Sequence, residues 1–255
     1  MGKAETFQAL HAGAPFVIPN PWDAGSAKVL AKLGFKALAT TSSGFAFTLG
    51  RRDGEVTLDE VIEHTRTVAA AVEVPVSVDL EHGYGSEPAA AARAVAAAAA
   101  AGAAGGSIED FDPSGRIYEL AHAAERVAAA ADAAGDFVLT ARAENHIRGN
   151  PDLDDTIARL QAFERAGADV LFAPGLRTPE EIRTVCDAVS RPLNVLALPG
   201  MSLDDIVGAG AQRVSLGGGL AWVAVKAFAD AAQAIHDRGD LSVLGARVPL
   251  RDWLA

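Results

Sequence analysis

Carboxylate side chains stand at the ends of two apolar runs and are the first candidates for chemistry. Asp79 and Glu81 lie at and just after the end of the run PVSVDL (75–80), and Glu109 lies in the run GGSIED (105–110). If Asp79 and Glu81 are both extended, their side chains point to the same side of the strand. Converging carboxylates repel unless a cation or protonation relieves them, and all-oxygen ligands suit Mg²⁺ or Mn²⁺. The trio therefore predicts a divalent-metal site, with caps for the following helices as the alternative.

An arginine at a third run could hold an anion beside this metal site. Arg142 lies in the run FVLTARAE (137–144). A guanidinium binds a carboxylate through two parallel hydrogen bonds, which predicts a substrate-binding role. Salt bridges from Arg142 to Glu144 or Glu109 are the competing interpretation.

A turn rich in hydroxyls follows the second run. Thr41, Ser42 and Ser43 offer hydroxyl and backbone N–H groups, which suit an anionic oxygen of a substrate. The same residue types cap helices equally well. Asp53 lies on the loop after this turn, where a turn role is the simplest explanation.

The remaining reactive side chains form weaker patterns. His82 and Tyr84 lie inside the acidic loop and are candidates for a general acid or base, as are Arg116 and Tyr118. The six histidines show no H-E-x-x-H or comparable ligand spacing. Cys186 is the single cysteine and falls inside a predicted helix, which indicates an inert packed thiol.

Eight short apolar runs recur along the chain, separated by segments of helix length. Their Val, Ile and Leu content without strict alternation is typical of parallel strands that are buried on both faces. The runs cover residues 15–19, 37–41, 75–80, 105–110, 137–144, 169–173, 193–197 and 213–218. This alternation predicts a (β/α)₈ barrel or a doubly wound sheet. No G-x-G-x-x-G follows the first run, which favours the barrel.

Helix signals fill the spacers between these runs. Asp23 and Thr57 precede helical patterns as N-caps, Thr178 is followed by proline and two glutamates, and the alanine-rich segment 89–104 is expected to be a helix packed closely on the sheet. Residues 1–255 are expected to form a single domain. The tail from about 241 to 255 is expected to dock on the barrel or on a neighbouring subunit.

Composition and charge exclude several classes of partner. The formal net charge of −11 leaves no basic stripe for nucleic acid and argues against an anionic membrane surface. The N-terminus lacks the long apolar stretch of a signal peptide. A single cysteine rules out an internal disulfide and a cysteine-rich zinc site. We expect a soluble, cytoplasmic protein.

Together, these motifs resemble the isocitrate lyase/phosphoenolpyruvate mutase superfamily, and the resemblance runs from about residue 10 to about 235. The pair D-x-[DE]-x-G-Y-G and [IL]-E-D is its most specific part. The matching segments are PNPWDAGSA (19–27), TTSSG (40–44), LGRRD (49–53), VDLEHGYG (78–85), SIED (107–110) and TARAE (140–144). The resemblance implies a (β/α)₈ barrel, Mg²⁺, and cleavage or formation of a C–C or P–C bond next to a 2-oxo acid.

The resemblance also implies a role for each matching residue. Asp79 would be the principal carboxylate at the metal, with Glu81 and Glu109 holding its waters and Asp53 a further acid nearby. Arg142 would bind the substrate. Trp22 would form a wall of the pocket. The carboxylate or oxo group of the substrate would be held by Thr41, Ser42 and Ser43. The family pattern further implies a homo-oligomer, a dimer or tetramer, in which the terminal helix is exchanged with a neighbour.

Three departures from the family pattern bear on activity. Lyases of this superfamily carry a K-[KR]-C-G-H loop after the fourth strand, and this chain has FDPSGRIY (111–118) there, without a cysteine. The lysine that follows Glu-Asp in the mutases and phosphonopyruvate hydrolases, and their gate sequence, are also missing. Glu81 replaces the family's second aspartate with a longer side chain. Isocitrate or methylisocitrate cleavage and phosphonate chemistry are therefore not expected.

The leading hypothesis is a Mg²⁺-dependent lyase or hydrolase that acts on a small 2-oxo or 2-hydroxy dicarboxylate resembling oxaloacetate. The alternative is a barrel that binds a 2-oxo acid without turnover, as a sensor or buffer. A phosphosugar aldolase needs a Schiff-base lysine at a strand end. The candidates fall in or beside helices instead: Lys28, Lys32, Lys36 and Lys226.

Overall fold

In the computed structural model, which describes residues 2–254, eight parallel strands form the centre of the fold. The ten strands in chain order are β1 (Phe16–Ile18), β2 (Leu38–Ala39), β3 (Val76–Asp79), β4 (Gly105–Glu109), β5 (Phe111–Asp112), β6 (Arg116–Ile117), β7 (Val138–Arg142), β8 (Val170–Phe172), β9 (Leu193–Leu196) and β10 (Arg213–Ser215). The large sheet has the order β1-β10-β9-β8-β7-β4-β3-β2, and β5 and β6 form a separate antiparallel hairpin. The N–H of Ala39 donates to the carbonyl of Pro19 at 3.0 Å, which brings β2 beside β1. The sheet is thus a nearly closed (β/α)₈ barrel.

Helices surround the barrel. In chain order they are α1 (Lys3–His11), α2 (Ala24–Lys32), α3 (Ser42–Thr48), α4 (Leu58–Ala71), α5 (Pro88–Ala100), α6 (Leu120–Ala134), α7 (Leu153–Arg165), α8 (Pro179–Ala188), α9 (Leu203–Gly208), α10 (Gly219–Arg238) and α11 (Leu250–Leu254), with short 3₁₀ helices at Asn145–Ile147 and Leu241–Gly245. Among residues 2–254, no helix combines the length and the apolar character needed to cross a membrane.

All eight strands predicted from the apolar runs are confirmed, and with them the barrel. Each strand is shorter than its run, since one or more residues at the ends of the run lie outside the paired segment. In the last run, for example, pairing ends at Ser215 and the residues up to Gly218 form a turn. The ends of the runs are therefore loops at the carboxyl ends of the strands, where barrel enzymes place their active sites.

The predicted helix starts are also confirmed. The side chain of Asp23 accepts a hydrogen bond from the N–H of Ser26 at 2.6 Å at the start of α2. Thr57 and Thr178 form capping boxes with Glu60 and Glu181. Side-chain oxygens thus satisfy N–H groups that have no partner inside the helix.

Small side chains allow close helix packing on one side of the barrel. The alanine-rich segment forms α5, which packs along α6, and its residues Ala91, Ala94 and Ala98 are fully buried. Cys186 lies partly buried in α8, and burial raises the pKa of its thiol to about 11. A thiol with this pKa stays protonated at neutral pH, in agreement with the packing role expected for it.

Helix α1 covers the amino-terminal end of the barrel. Phe7 is fully buried against Gly105 of β4, where a Cβ atom would come within 2.7 Å of the Phe7 ring. His11 is also buried in α1, and its Nδ1 lies 2.8 Å from the carbonyl of Phe7. Glycine at position 105 therefore lets the ring of Phe7 close the floor of the barrel.

The carboxyl-terminal tail folds back onto helices α2 and α4. Trp253 of α11 lines a groove with Lys28 and Ala31 of α2 and Val72 at the end of α4. The ammonium of Lys28 donates to the carbonyl of Leu254 at 3.1 Å. In the described residues the tail thus packs on α2 of its own chain, and its docking on or exchange with a neighbouring subunit stays a prediction.

Candidate active site

A cavity of about 210 Å³ opens at the carboxyl ends of the strands and continues into the barrel interior. Its size suits a small ligand, since pockets for drug-sized molecules are about 300–1,000 Å³. Six of the residues expected at the site line it: Thr41, Ser42, Ser43, Asp53, Asp79 and Arg142. The fold thus brings the hydroxyl turn, one metal-site carboxylate and the arginine to a single space.

Asp79 is fixed at the wall of this cavity by its neighbours. Its backbone N–H donates to Oγ1 of Thr40 at 3.0 Å, and its Oδ1 accepts from the N–H of Glu81 at 3.1 Å. The first bond ties the end of β3 to the end of β2. These bonds leave carboxylate oxygen capacity for a ligand, because each carboxylate can accept about four hydrogen bonds.

Glu81 does not follow the geometry expected from the sequence. Strand β3 ends at Asp79, and Glu81 has a left-handed backbone with φ 46°, so the premise that both residues are extended is wrong. Its Oε1 accepts from the hydroxyl of Tyr84 at 3.0 Å. Burial and the nearby charge of Asp79 raise the pKa of Glu81 to about 7.

The acidic loop, residues 79–86, has a strained backbone and is held by hydrogen bonds from an arginine of α6. Tyr84 also has a positive φ of 56°, a conformation that is costly for a non-glycine residue and concentrates at functional sites. The guanidinium of Arg126, which is 1% exposed, donates to the carbonyls of His82, Gly85 and Ser86. Arg126 is a supporting residue that the sequence patterns did not reveal.

Arg142 lines the cavity and forms two ion pairs, so the salt bridges considered for it are present and its substrate-binding role stays a prediction. Its Nη1 lies 3.1 Å from Oε1 of Glu109, and its Nε donates to Glu144. Arg148 pairs with the other oxygen of Glu144 at 2.9 Å. Burial alone would lower the pKa of Arg142, but Glu109, Glu144 and Asp79 raise it above its usual value. The guanidinium therefore stays charged and fixed in orientation.

Glu109 lies behind this arginine, where it is buried. Burial raises the pKa of Glu109, and the charge of Arg142 opposes that rise. Its backbone N–H donates to the carbonyl of Glu81 at 2.8 Å, which joins the two acidic segments. Asp110, the next residue, accepts from the N–H of Glu144 at 2.8 Å and pairs with Arg159 at 3.0 Å. Asp110 is therefore bonded within the protein.

The hydroxyl turn combines a capping role with a place at the cavity. Thr41 is the N-cap of α3, and its Oγ1 lies 3.2 Å from Oγ of Ser43. Ser42 hydrogen-bonds to the carboxyl of Asp53, which lies at the rim of the cavity. Partial burial raises the pKa of Asp53, and the hydrogen bond from Ser42 opposes this rise.

Three other expected site residues lie elsewhere. The side chain of Trp22 lines a separate groove with Phe45 and His64. The rings of His82 and Tyr84 contact each other at a tilt, with centroids 5.3 Å apart, and neither residue lines the cavity. Burial lowers the pKa of His82. We therefore place these residues around the cavity of this structure and not on its lining.

Several polar residues that line the cavity were not recognised from the sequence. Asn20 bridges strand ends, since its Oδ1 accepts from the N–H of Leu216 at 2.9 Å and its Nδ2 donates to the carbonyl of Thr40 at 3.2 Å. Deeper in the barrel, the lining includes Ser77, Asn194 and Arg213. The available signal was a polar side chain inside an otherwise apolar strand.

The acidic residues fit a divalent cation held largely through water. Among residues 2–254, no three His, Cys, Asp or Glu side chains come together as a ready-made chelating set. Asp79 contributes a carboxylate to the cavity, and charge repulsion from Asp79 and Asp53 contributes to the raised pKa of Glu81. A cation would relieve that repulsion. Mg²⁺ commonly takes one or two protein carboxylates and keeps several waters.

Comparison with known proteins assigns the family. The family model described as phosphoenolpyruvate phosphomutase matches residues 7–236. The chain belongs to the isocitrate lyase/phosphoenolpyruvate mutase superfamily. It is therefore an enzyme of the lyase, hydrolase or mutase type found in that superfamily. The resemblance noted in the sequence motifs is confirmed over nearly the whole barrel.

The relatives of this chain include two that are named as lyases. It is 34% identical to an oxaloacetate decarboxylase of Paraburkholderia xenovorans (strain LB400), over 85% of this chain and 74% of the relative. It is 30% identical to a 2-methylisocitrate lyase of Halalkalibacterium halodurans, over 87% of this chain and 78% of the relative. Among solved structures, a protein of Burkholderia cenocepacia J2315 provisionally described as a lyase/mutase is 47% identical, with a TM-score of 0.94 over 98% of this chain and 94% of that one.

A two-stranded hairpin, formed by β5 and β6, directly follows β4. Strands β5 and β6 pair Phe111 with Ile117, and the guanidinium of Arg148 lies 3.8 Å from the centre of the Phe111 ring. Tyr118 is buried beneath Arg126, at 4.6 Å from ring centre to guanidinium carbon. The hairpin is thus anchored by aromatic and cationic contacts on both sides.

Proposed function

We propose that this enzyme is a Mg²⁺- or Mn²⁺-dependent lyase or hydrolase that cleaves a C–C bond, or less readily a P–C bond, next to a small 2-oxo or 2-hydroxy acid resembling oxaloacetate. The observation that carries the proposal is the convergence of Asp79, Arg142 and the Thr41–Ser43 turn on one cavity. The names of the oxaloacetate decarboxylase and methylisocitrate lyase relatives support the choice of bond and substrate class.

The cavity offers a distinct task to each group. Asp79 would hold the divalent cation directly, and Glu81 and Glu109, which lie outside the cavity lining, would hold its waters as the family resemblance implies. When bound, such a cation supplies Lewis-acid polarisation of a 2-oxo carbonyl. Arg142 binds the substrate carboxylate, and its orientation is already fixed by Glu109 and Glu144. Pre-orientation of this kind lowers the entropic cost of reaching the transition state.

Proton transfer falls most naturally to Asp53. Bond cleavage next to a 2-oxo acid leaves negative charge on the retained fragment, which must finally take up a proton. Asp53 lies at the rim of the cavity with a raised pKa and a hydrogen bond from Ser42. The hydroxyl of Tyr84 is committed to Glu81, and His82 lies away from the cavity lining. Asp53 is therefore preferred over Tyr84 and His82 as the general acid.

Calorimetry with oxalate tests the site itself. We expect oxalate to bind in the presence of Mg²⁺ and to lose most of its affinity when Mg²⁺ is removed or when Asp79→Ala is introduced. Asp132→Ala, an exposed aspartate of α6, is the matched control and should bind normally. Binding that needs neither Mg²⁺ nor Asp79 would contradict the metal site.

A turnover screen tests the reaction. Oxaloacetate, phosphonopyruvate and dimethylmalate are incubated with enzyme and Mg²⁺, and products are followed by NMR. Product from oxaloacetate, abolished by Asp53→Asn with oxalate binding retained, is the expected result. Intact binding without product from any of the three would favour a barrel that binds 2-oxo acids without turnover.

The surface of α10 supports a homo-oligomer as the functional form. Trp222, Val223 and Phe228 are large apolar side chains of this helix that remain 45%, 67% and 74% exposed. Leu241 and Leu244 extend the apolar surface into the tail. Exposed apolar patches of this kind mark interaction surfaces, so we propose that a second copy of the chain covers α10, as in the dimer or tetramer suggested by the family resemblance.

A further inference from the structure

An arginine lies in the barrel interior below the candidate active site. Arg213 begins β10 and is 4% exposed. Its Nε donates to Oδ1 of Asn194 at 2.8 Å, one Nη donates to Oγ1 of Thr140 at 3.0 Å, and the other donates to Nε2 of His11 at 3.1 Å. These three bonds use three of the five N–H groups of a guanidinium.

All three partners of Arg213 in the described residues are neutral groups. Burial and the neighbouring charge of Arg213 lower the pKa of His11 to about 3, so His11 stays uncharged at neutral pH. Burial lowers the pKa of Arg213 to about 9, and no acidic neighbour contributes to that value. The guanidinium therefore remains a cation at neutral pH without a counter-charge, which is an expensive arrangement inside a protein.

The cavity connects this cation to the candidate active site. Arg213 lines the same cavity as Asp79 and Arg142. Thr140, which bonds to Arg213, precedes Arg142 by two residues on β7, and a strand rises about 3.3 Å per residue. Thr140, to which Arg213 bonds, thus lies one layer below Arg142, roughly 7 Å along the backbone of β7. The lining between the two arginines includes the serines Ser77 and Ser107.

We propose that the floor of this cavity is an anion subsite in which Arg213 binds the far carboxylate of the substrate. The inference rests on the proposed function for the near end of the same molecule. A 2-oxo acid held at Arg142 and Asp79 extends down the barrel axis, and a second carboxylate supplies the missing counter-charge of Arg213. The substrate class is then a 2-oxo dicarboxylate, and Arg213 is a specificity-determining residue that the family motifs do not include.

Matched ligand pairs test the subsite directly. Oxaloacetate and 2-oxobutyrate differ only in a carboxylate or a methyl group at the far end, and so do 2-oxoglutarate and 2-oxovalerate. The dissociation constant of each is measured by calorimetry with Mg²⁺. In the unmodified enzyme, at least one diacid should bind about tenfold or more tightly than its monoacid, as expected for hydrogen bonds to a charged group. The second pair keeps the comparison valid if oxaloacetate is turned over.

Two variants test whether Arg213 at the cavity floor causes the preference for the diacid. Arg213→Met removes the charge, and Ser77→Val narrows the path to it while the three bonds of Arg213 stay intact. In both variants the ratio of diacid to monoacid affinity should fall to near one. Ser77→Val keeps the test usable if Arg213→Met does not fold. Thr67→Val, on the exposed side of α4, is the control and should keep the full ratio.

The outcomes separate this inference from the proposed function. Mg²⁺-dependent binding of monoacids with a ratio near one in the unmodified enzyme would overturn the subsite alone. Failure of all four acids to bind would overturn both. A ratio near one together with a rise in Tm on adding chloride would show that an inorganic anion fills the floor, which also overturns the assignment to substrate. A high ratio that Ser77→Val leaves unchanged would place the second carboxylate elsewhere.

Discussion

Replacement of His11 by glutamine should make the stability of this enzyme less sensitive to acid. His11 lies at the barrel floor, where its Nε2 accepts from Arg213 and its Nδ1 bonds to the carbonyl of Phe7. Burial and the charge of Arg213 lower its pKa to about 3, from the usual value of 6.5. The unfolded chain takes up a proton at His11 as the pH falls below 6.5, whereas the folded chain does not. The stability due to neutral His11 is therefore lost progressively as the pH falls from about 6.5 towards 3.

The size of this effect follows from the two pKa values. The pKa of His11 is 6.5 in the unfolded chain and about 3 in the folded chain. Protonation of His11 in the unfolded chain therefore lowers the unfolding free energy by about 2 kcal/mol between pH 7 and pH 5. The slope approaches about 1.4 kcal/mol per pH unit below pH 6. Burial also lowers the pKa of His64 and His82, which act in the same direction. The informative quantity is therefore the difference between the unmodified enzyme and the variant.

Urea denaturation at pH 5, 6 and 7 measures that difference. The unfolding free energy of His11→Gln should decline less between pH 7 and pH 5 than that of the unmodified enzyme, by about 2 kcal/mol. His236→Gln, which removes a histidine whose side chain is 84% exposed, is the matched control and should show the unmodified pH dependence. A difference between His11→Gln and the unmodified enzyme that does not vary with pH would refute the neutral, buried histidine and the uncompensated arginine beside it.

Three further predictions concern the cavity and the surface. Arg142→Met should lose up to about 3–5 kcal/mol of stability in a denaturation experiment, because Glu109 and the fully buried Glu144 lose a counter-charge. Arg142→Lys should be more stable than Arg142→Met but bind oxalate about tenfold or more weakly in calorimetry, since lysine lacks the planar guanidinium fork. Unaltered oxalate affinity in Arg142→Lys would contradict the binding role. Gly44→Ala should weaken oxalate binding and destabilise the fold by about 1–3 kcal/mol, because the new Cβ would lie 2.7 Å from Cγ2 of Thr41 and 3.0 Å from Cβ of Trp22. Gly208→Ala, with no atom near its new Cβ, is the control. Equal stability and equal oxalate affinity of the two variants would count against the role of Thr41. Phe228→Glu should shift the oligomer towards monomer in light scattering, whereas Leu203→Glu, another exposed apolar position, should not; a Phe228→Glu variant of unchanged mass would argue against α10 as the interface.

Local sequence patterns were sufficient for the framework of this molecule. The eight apolar runs are buried strands because β-rich, non-alternating segments must be covered on both faces. Asp23, Thr57 and Thr178 cap their helices because a short polar side chain satisfies the free N–H groups wherever a helix begins. The carboxyl ends of parallel strands meet at one edge, so Asp79, Arg142 and the Thr41–Ser43 turn could be placed together before any coordinates.

Only the tertiary structure decided what lies inside the barrel and which way the loops turn. Glu81 has a left-handed backbone in a loop that is held by the distant Arg126 and by the hydroxyl of Tyr84, so the alternation rule could not foresee its direction. The floor depends on Arg213 meeting His11 and Thr140, residues 202 and 73 positions away. In the sequence, Arg213 is only a polar residue in an apolar run. Its meaning as a buried charge without a counter-charge emerges only when eight strands and a covering helix close around it.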